Sequence, residues 1–124
     1  MTKEYLEGYS RCDSFIKSIN DEIQEINFLK GVTKHYMNNK EVSECLEARE
    51  TKLNKLLKIQ EEKKAEIEAA VQAIPDERFR KLVFLRYIKR MNWEALSYEM
   101  LYSESHCYEL IRAFFKKEGE KNES

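Results

Sequence analysis

Six side chains near the C-terminus carry the groups best suited to recognition chemistry. They offer hydroxyl, imidazole, phenol, carboxylate, guanidinium and ammonium groups, and they are Ser105, His106, Tyr108, Glu109, Arg112 and Lys116. Tyr108 and Arg112 are four residues apart, so they share one face if the segment is helical. Groups of this kind hydrogen-bond to base edges and to phosphates. For His106 the alternative is an ordinary exposed helix residue, since its candidacy depends on motif position alone. For Lys116 the alternative is to complement the C-terminal end of the helix dipole.

No catalytic or metal-binding constellation is recognisable in the sequence. The two histidines, His35 and His106, are 71 residues apart, and no metalloprotease, nucleophile-elbow or phosphate-loop motif occurs. Cys12, Cys45 and Cys107 are odd in number and widely spaced. This spacing argues against a metal site or a disulfide framework and suits a reducing cytosol. We therefore expect a protein that is not an enzyme and that needs no cofactor.

The elements that must position these side chains are predicted to be helices. Of 124 residues only three are glycine and one is proline, while 36% are charged. A sheet protein of this length would need more turn residues, so we predict an all-α fold with long solvated helices. The N-terminus has no apolar signal core, and no run approaches the roughly 18 apolar residues that span a bilayer. We expect a cytoplasmic protein with no membrane partner.

The first 74 residues are predicted to form a long antiparallel helical hairpin. The first helix, about 2–30, carries an apolar stripe with alternating spacings of three and four: Tyr9, Cys12, Ile16, Ile19, Ile23 and Ile26. Gly31 is expected to interrupt this helix, and residues 32–40 to form the turn. A second stripe runs along about 42–73: Val42, Leu46, Leu53, Leu56, Ile67, Ala70 and Ile74. Such stripes are typical of a core or a coiled-coil seam, so the hairpin would serve in dimerisation or bind a partner.

Residues 75–117 are predicted to form a separate module of three helices. Pro75 ends the hairpin, and a third helix should follow over about 76–89, with acidic residues in its first turn. Asn92 and Ser103 are expected N-caps for a fourth helix over 93–100 and a fifth over about 104–117. We expect Trp93 to anchor these two helices in the core. The spacing of Cys107, Leu110, Ile111 and Phe114 predicts the inward face of the fifth helix. Residues 118–124 contain no apolar side chain and are predicted to be a flexible tail.

The module is also the basic part of the chain. The net charge is −1 over the whole sequence, whereas residues 75–117 contain nine Lys and Arg against six Asp and Glu, a net of +3. Six of the module's seven remaining cations are candidates for phosphate contacts: Arg78, Arg80, Lys81, Lys89, Arg90 and Lys117. A solvated face is the alternative for the first five, and Lys117 would otherwise complement the C-terminal end of the helix dipole. The seventh, Arg86, is expected on the basic exposed side of the third helix.

This module resembles the fourth region of bacterial sigma factors. The matching residues are Ile74-Pro75, Leu85-Arg86-Tyr87, Asn92-Trp93-Glu94, Leu96 and Tyr102-Ser103. Together with a helical N-terminal arm, it looks like the phage late-transcription regulators of the RinA and ArpU type. The resemblance implies a small cytoplasmic DNA-binding regulator with a C-terminal helix-turn-helix, encoded by a phage or prophage of a Gram-positive bacterium.

Two positions depart from the sigma-factor pattern. Leu101 stands where that family usually has glycine, and a left-handed leucine would cost roughly 1 kcal/mol or more. We therefore expect this turn to be built differently. Glu104 and Glu109 place carboxylates on the recognition helix, where they repel phosphates. A glutamate can nevertheless accept a hydrogen bond from a cytosine amino group.

Three functions follow as hypotheses. The first is a sequence-specific DNA-binding transcriptional regulator whose partners are double-stranded DNA and RNA polymerase or another host protein, with a homodimer as a further option. The second is a protein-binding module on a helix-turn-helix scaffold, such as a phage inhibitor of a host nucleic-acid enzyme. The acidic and aromatic side chains near the fifth helix would then meet the partner. The third is a helical assembly protein with no DNA role.

Overall fold

The computed structural model describes residues 1–37 and 39–123, and within that range the chain contains α-helices and no strand. The helices are α1 (Lys3–Val32), α2 (Lys40–Gln72), α3 (Glu77–Val83), α4 (Trp93–Met100) and α5 (Glu104–Glu123). Two π-helical turns, Thr33–Met37 and Phe84–Ile88, follow α1 and α3. The predicted all-α class is confirmed, with two long helices followed by three shorter ones.

Helix α1 passes through the position where its end was predicted. Gly31 lies inside α1, so the expectation that it interrupts the helix was wrong. A single glycine costs a helix only about 1 kcal/mol relative to alanine, which the surrounding helix formers tolerate. The predicted turn at 32–40 is instead the π-helical turn Thr33–Met37 and the start of α2, with Asn38 outside the described residues.

The chain divides into two compact units. The hairpin unit is Cys12–Lys63, and the core unit is Met1–Arg11 together with the chain from Lys64 onward. One boundary between the units lies inside α1, after Arg11, and the other lies inside α2, after Lys63. The division therefore differs from the predicted domains 1–74 and 75–117, because both ends of the predicted hairpin belong to the same unit as the C-terminal helices.

In the hairpin unit, α1 and α2 pack along a narrow apolar seam. Ile19, Ile26 and Leu53 are buried, with further apolar side chains partly buried around them. Leu56, predicted to lie in the seam, is 45% exposed. Ion pairs flank the seam, from Arg49 to Glu22 at 2.6 Å and from Lys30 to Glu50 at 3.1 Å.

The core unit has a larger interior. Its buried side chains come from the start of α1, the end of α2 and every later helix. They are Leu6, Tyr9, Ile67, Val71, Ile74, Phe79, Leu82, Val83, Ile88, Leu96, Cys107, Leu110, Ile111 and Phe114. Tyr9 also donates a hydrogen bond from its hydroxyl to the Glu68 carboxylate at 2.5 Å. Leu6 is fully buried although it lies outside the predicted stripe.

The predicted third helix is divided between α3 and the π-helical turn that follows it. Asp76 caps α3, because its carboxylate accepts hydrogen bonds from the backbone N–H groups of Arg78 and Phe79. The turn is closed by a bond from the Lys89 N–H to the Phe84 carbonyl, five residues back. The chain then passes through a left-handed residue, Arg90, at φ 58°.

The last helix is longer than predicted. Helix α5 was expected to end at Lys117, but it continues to Glu123, so residues 118–123 are helical; Ser124 lies outside the described residues. The added turns contain Glu and Lys, which favour helix without any apolar contact. The Glu118 carboxylate lies 3.4 Å from the N-terminal amine of Met1 and 3.8 Å from the Lys121 amine.

Candidate nucleic-acid interface

Two short caps define the junction between α4 and α5. The Asn92 side chain accepts a hydrogen bond from the Ala95 N–H at 2.8 Å, which caps α4 as predicted. The Ser103 hydroxyl accepts one from the His106 N–H at 3.1 Å, which caps α5 as predicted. Residues 101–103 therefore join two well-defined helix ends in a helix-turn-helix arrangement.

The turn between these helices is left-handed. Leu101 has φ 60° and ψ 35°, so the expectation that this turn avoids a left-handed leucine was wrong. The conformation lets the Leu101 and Tyr102 N–H groups both donate to the Ser97 carbonyl, which satisfies the end of α4. The Leu101 side chain is 88% exposed, so no side-chain burial offsets the backbone strain.

Helix α5 has one buried side and one exposed side. Cys107, Leu110, Ile111 and Phe114 face the core, and burial raises the pKa of the Cys107 thiol, with a smaller contribution from Glu104. All six predicted contact residues are exposed: Ser105, His106, Tyr108, Glu109, Arg112 and Lys116. The exposed side can therefore meet a partner without unfolding the helix.

A stack of two rings between two cations crosses the junction. The Arg86 guanidinium carbon lies 4.3 Å from the centre of the Trp93 ring, and Trp93 meets Tyr108 edge-on at 5.4 Å. The Arg112 guanidinium carbon lies 5.8 Å from the centre of the Tyr108 ring. Cation–π and edge-to-face contacts each contribute on the order of 1 kcal/mol. The stack therefore links the exposed Tyr108 and Arg112 side chains to the partly buried Trp93 and Arg86.

Trp93 and Arg86 differ in part from their predicted roles. Trp93 does join α4 to α5, but it is only partly buried and keeps one edge near the surface. Arg86 was placed on a solvated basic face, whereas it is partly buried and donates to the Met91 carbonyl at 2.7 Å. Sequence spacing could not reveal this pair, because a left-handed residue and a break in the helix separate Arg86 from Trp93.

The stack forms one wall of a shallow concavity on the surface of the core unit. Its lining residues are Trp93, Glu104, Ser105, Tyr108, Glu109 and Arg112. Four predicted contact residues, Ser105, Tyr108, Glu109 and Arg112, are therefore brought together. The concavity offers hydroxyl groups, a hydrogen-bond-donating guanidinium and two accepting carboxylates. It can hydrogen-bond to a partner that presents both acceptors and donors.

The other two predicted residues lie outside this concavity. His106 meets the Tyr102 ring edge-on, with ring centres 4.7 Å apart, near the turn. Lys116 is exposed further along α5. A partner following the exposed side of α5 would meet His106 near its first turn and Lys116 toward its end.

The remaining cations of the module have several different environments. Arg78 and Lys117 both lie near the Phe79 ring, at 5.5 and 5.1 Å from its centre. Arg80 is partly buried and donates to the Ile74 carbonyl at 2.9 Å, in the segment that joins α2 to α3. Lys81, Lys89 and Arg90 are exposed.

Within the described ranges, no group of three or more His, Cys, Asp and Glu side chains is arranged to hold a metal ion. Over the same residues, none of the helices combines the length and the apolar character that crossing a membrane requires.

Comparison with known proteins identifies a family. The family described as "Protein of unknown function (DUF722)" matches residues 2–120, nearly the whole chain, and the protein belongs to it. No curated protein and no solved structure matches the chain.

Proposed function

We propose that this DUF722 family member is a sequence-specific DNA-binding transcriptional regulator of phage or prophage origin. In this proposal α5 enters the major groove and the hairpin unit dimerises or binds RNA polymerase. The protein acts by binding and carries out no catalysis. The observation that carries the proposal is the stack from Arg86 to Arg112, which aims a guanidinium and a phenol outward from a capped helix-turn-helix.

The chemistry of the exposed side of α5 supports base recognition. Arginine pairs with guanine through two hydrogen bonds, and glutamate accepts one from the cytosine amino group. Arg112 and Glu109 are three residues apart on α5, both are exposed, and both line the same concavity. A guanine and a cytosine close together in the target would satisfy both side chains. Lys116, further along α5, supplies a phosphate contact.

A random-duplex binding selection with the full chain tests the proposal. Purified protein should enrich one sequence, and its affinity for that sequence should fall steeply with salt. Arg112→Ala should lower affinity for the enriched duplex by about 1–3 kcal/mol and relax the preference at one position. Lys116→Ala should weaken all duplexes to a similar degree.

A matched control lies in the hairpin unit. Lys52 is exposed on α2 and is far from the helix-turn-helix in sequence. Lys52→Ala therefore removes one positive charge and leaves the sequence of α5 unchanged. This variant should bind the enriched duplex as the wild type does. Failure of the wild type to bind any duplex at micromolar concentration in low salt would overturn the proposal.

One observation favours a protein-binding module as the second candidate. Tyr98 and Leu101 are 73% and 88% exposed, and Glu94 and Glu99 on α4 and Glu104 on α5 are also exposed. Exposed apolar side chains with charged residues nearby in the chain are typical of protein interfaces. DNase-insensitive capture of one host protein, lost in the Tyr98→Ala, Leu101→Ala double variant, together with an absence of duplex binding, would favour this function over DNA binding.

A further inference from the structure

A second concavity of the core unit is rich in guanidinium groups and is lined by none of the six predicted contact residues of α5. Its lining comes from the start of α1 and from the segment that follows α3. The lining residues are Glu7, Ser10, Arg11, Arg86, Tyr87 and Arg90. Three arginines and one glutamate line it, so guanidinium donors predominate and the lining suits an anion.

Two of these guanidinium groups are held in place by the backbone. Arg11 donates from Nη2 to the Glu4 carbonyl at 3.1 Å, and Arg86 donates from Nη1 to the Met91 carbonyl at 2.7 Å. A guanidinium has five N–H donors, so each bond leaves others for a ligand. Because the side chains are already ordered, an anion that binds them loses less conformational entropy.

The third arginine occupies a position whose backbone favours glycine. Arg90 has φ 58°, in the left-handed region that costs most residues roughly 1 kcal/mol or more. The Arg90 side chain is exposed and lines the concavity together with Arg86. A glycine would relieve the strain but remove the guanidinium.

Hydroxyl donors complete the lining. Ser10 contributes an alcohol and Tyr87 a phenol. Burial raises the pKa of Tyr87; Arg86 opposes this shift, and Glu7 and Glu4 add to it. The phenol therefore stays protonated at neutral pH and can donate. Several guanidinium forks with hydroxyl donors match the multiple oxygens of a phosphate better than the two of a carboxylate.

We propose that this concavity, termed the arginine concavity, binds a phosphate group of the DNA backbone. The inference rests on the proposed function for its ligand, and it adds the start of α1 to the DNA-contacting surface. Arg11, Arg86 and Arg90 supply the charge-assisted hydrogen bonds. A phosphate contact fixes how the protein lies on the duplex without specifying sequence. Free phosphate or a nucleotide carries the same chemistry, so the experiment includes both sources.

The test compares the full chain with its Arg11→Ala, Arg90→Ala double variant by fluorescence anisotropy at several salt concentrations. Loss of one phosphate contact should reduce the slope of log affinity against log salt by about 0.9. Affinity should fall by roughly tenfold or more at low salt, equally for the enriched duplex and for an unrelated one. As a control, the Lys52→Ala, Lys55→Ala double variant removes the same charge from exposed positions on α2. It should change the salt slope and the affinity by less than the arginine double variant does.

A single variant separates ligand binding from folding. Arg90→Gly keeps the left-handed backbone conformation without a side-chain clash and removes one guanidinium, so the affinity for every duplex should fall while circular dichroism and a cooperative thermal transition show that the fold is kept. An Arg90→Gly protein that keeps its fold and binds DNA with unchanged affinity and salt slope would overturn the proposal.

A second arm distinguishes failure of this inference from failure of the proposed function. Isothermal titration with inorganic phosphate and with a nucleoside triphosphate is run on the wild type and the double variant. Free-anion binding that the double variant loses, without any duplex binding, would support the arginine concavity while overturning the DNA ligand. Duplex binding that the double variant retains in full would overturn the concavity alone. Absence of both kinds of binding would overturn both.

Discussion

The core unit and the hairpin unit are built from the same two long helices but have different interiors. In the hairpin unit, α1 and α2 meet along a seam of Ile19, Ile26 and Leu53, and large apolar side chains such as Phe28 remain exposed. In the core unit the ends of the same helices are covered by three more helices and an aromatic cluster. The concavity beside α5 and the arginine concavity both lie in the core unit.

This difference links packing to function. A surface that must hold a guanidinium within a fraction of an ångström needs neighbours that cannot move, and a dense interior supplies them. A two-helix seam buries too little apolar surface to do the same alone. The hairpin unit is accordingly better suited to meeting a partner, whereas the core unit is suited to presenting fixed side chains.

Removal of buried methyl groups should distinguish the two interiors most strongly. Leu96 is fully buried in the core unit, so Leu96→Ala should lower the free energy of unfolding by about 3–5 kcal/mol. Leu53 is nearly as buried in the hairpin unit. Leu53→Ala should lower the free energy of unfolding by only about 2 kcal/mol, because an open seam can collapse around the missing methyl groups. Urea denaturation followed by circular dichroism measures both. Equal losses would mean that the two interiors are equally constrained.

Cysteine labelling under native conditions should sharpen the comparison. Cys12 is buried in the hairpin unit, Cys107 is buried in the core unit, and Cys45 is exposed. Three variants that each keep one cysteine should react with a maleimide in the order Cys45, Cys12, Cys107. Cys12 should react at least about tenfold faster than Cys107, corresponding to roughly 1.4 kcal/mol less free energy for local opening. A Cys107 thiol that reacts as fast as Cys12 would remove the distinction.

The smallest expected effect concerns strain inside the core unit. Leu101→Gly should raise the free energy of unfolding by about 0.5–1 kcal/mol, because glycine adopts the left-handed conformation without a side-chain clash. Leu101→Ala removes the same exposed side chain and keeps the strain, so it should bring no such gain. Thermal denaturation of the three proteins tests this. A glycine variant less stable than the alanine variant would show that relief of the strain does not offset the backbone entropy that glycine loses on folding.

Several features of the fold could be predicted because they depend on local chemistry. Asn92 and Ser103 were predicted as N-caps and accept the expected backbone hydrogen bonds. The inward face of α5 was predicted from its periodicity, and Cys107, Leu110 and Phe114 are buried. Caps and helical stripes are properties of a few consecutive residues, so the sequence contains all the information that determines them.

Other features depended on contacts between distant segments. Leu6 is buried only because the end of α2 and the later helices form one interior with the start of α1. Leu101 is left-handed because the two helices it joins must both pack, and tertiary packing overrides a local preference of about 1 kcal/mol. The boundaries between the two units, which lie inside α1 and α2, likewise coincide with no local sequence signal.

The sequence by itself determined the all-α class, the helix starts and the exposed residues of α5. Only the tertiary structure decided that Arg86 lies against Trp93 and that Arg11 from the N-terminal helix joins Arg86 and Arg90 in one concavity. The physical reason is range: helix formation is set by neighbours within about four residues. The position of a charge beside a ring or another charge is set by how whole helices pack.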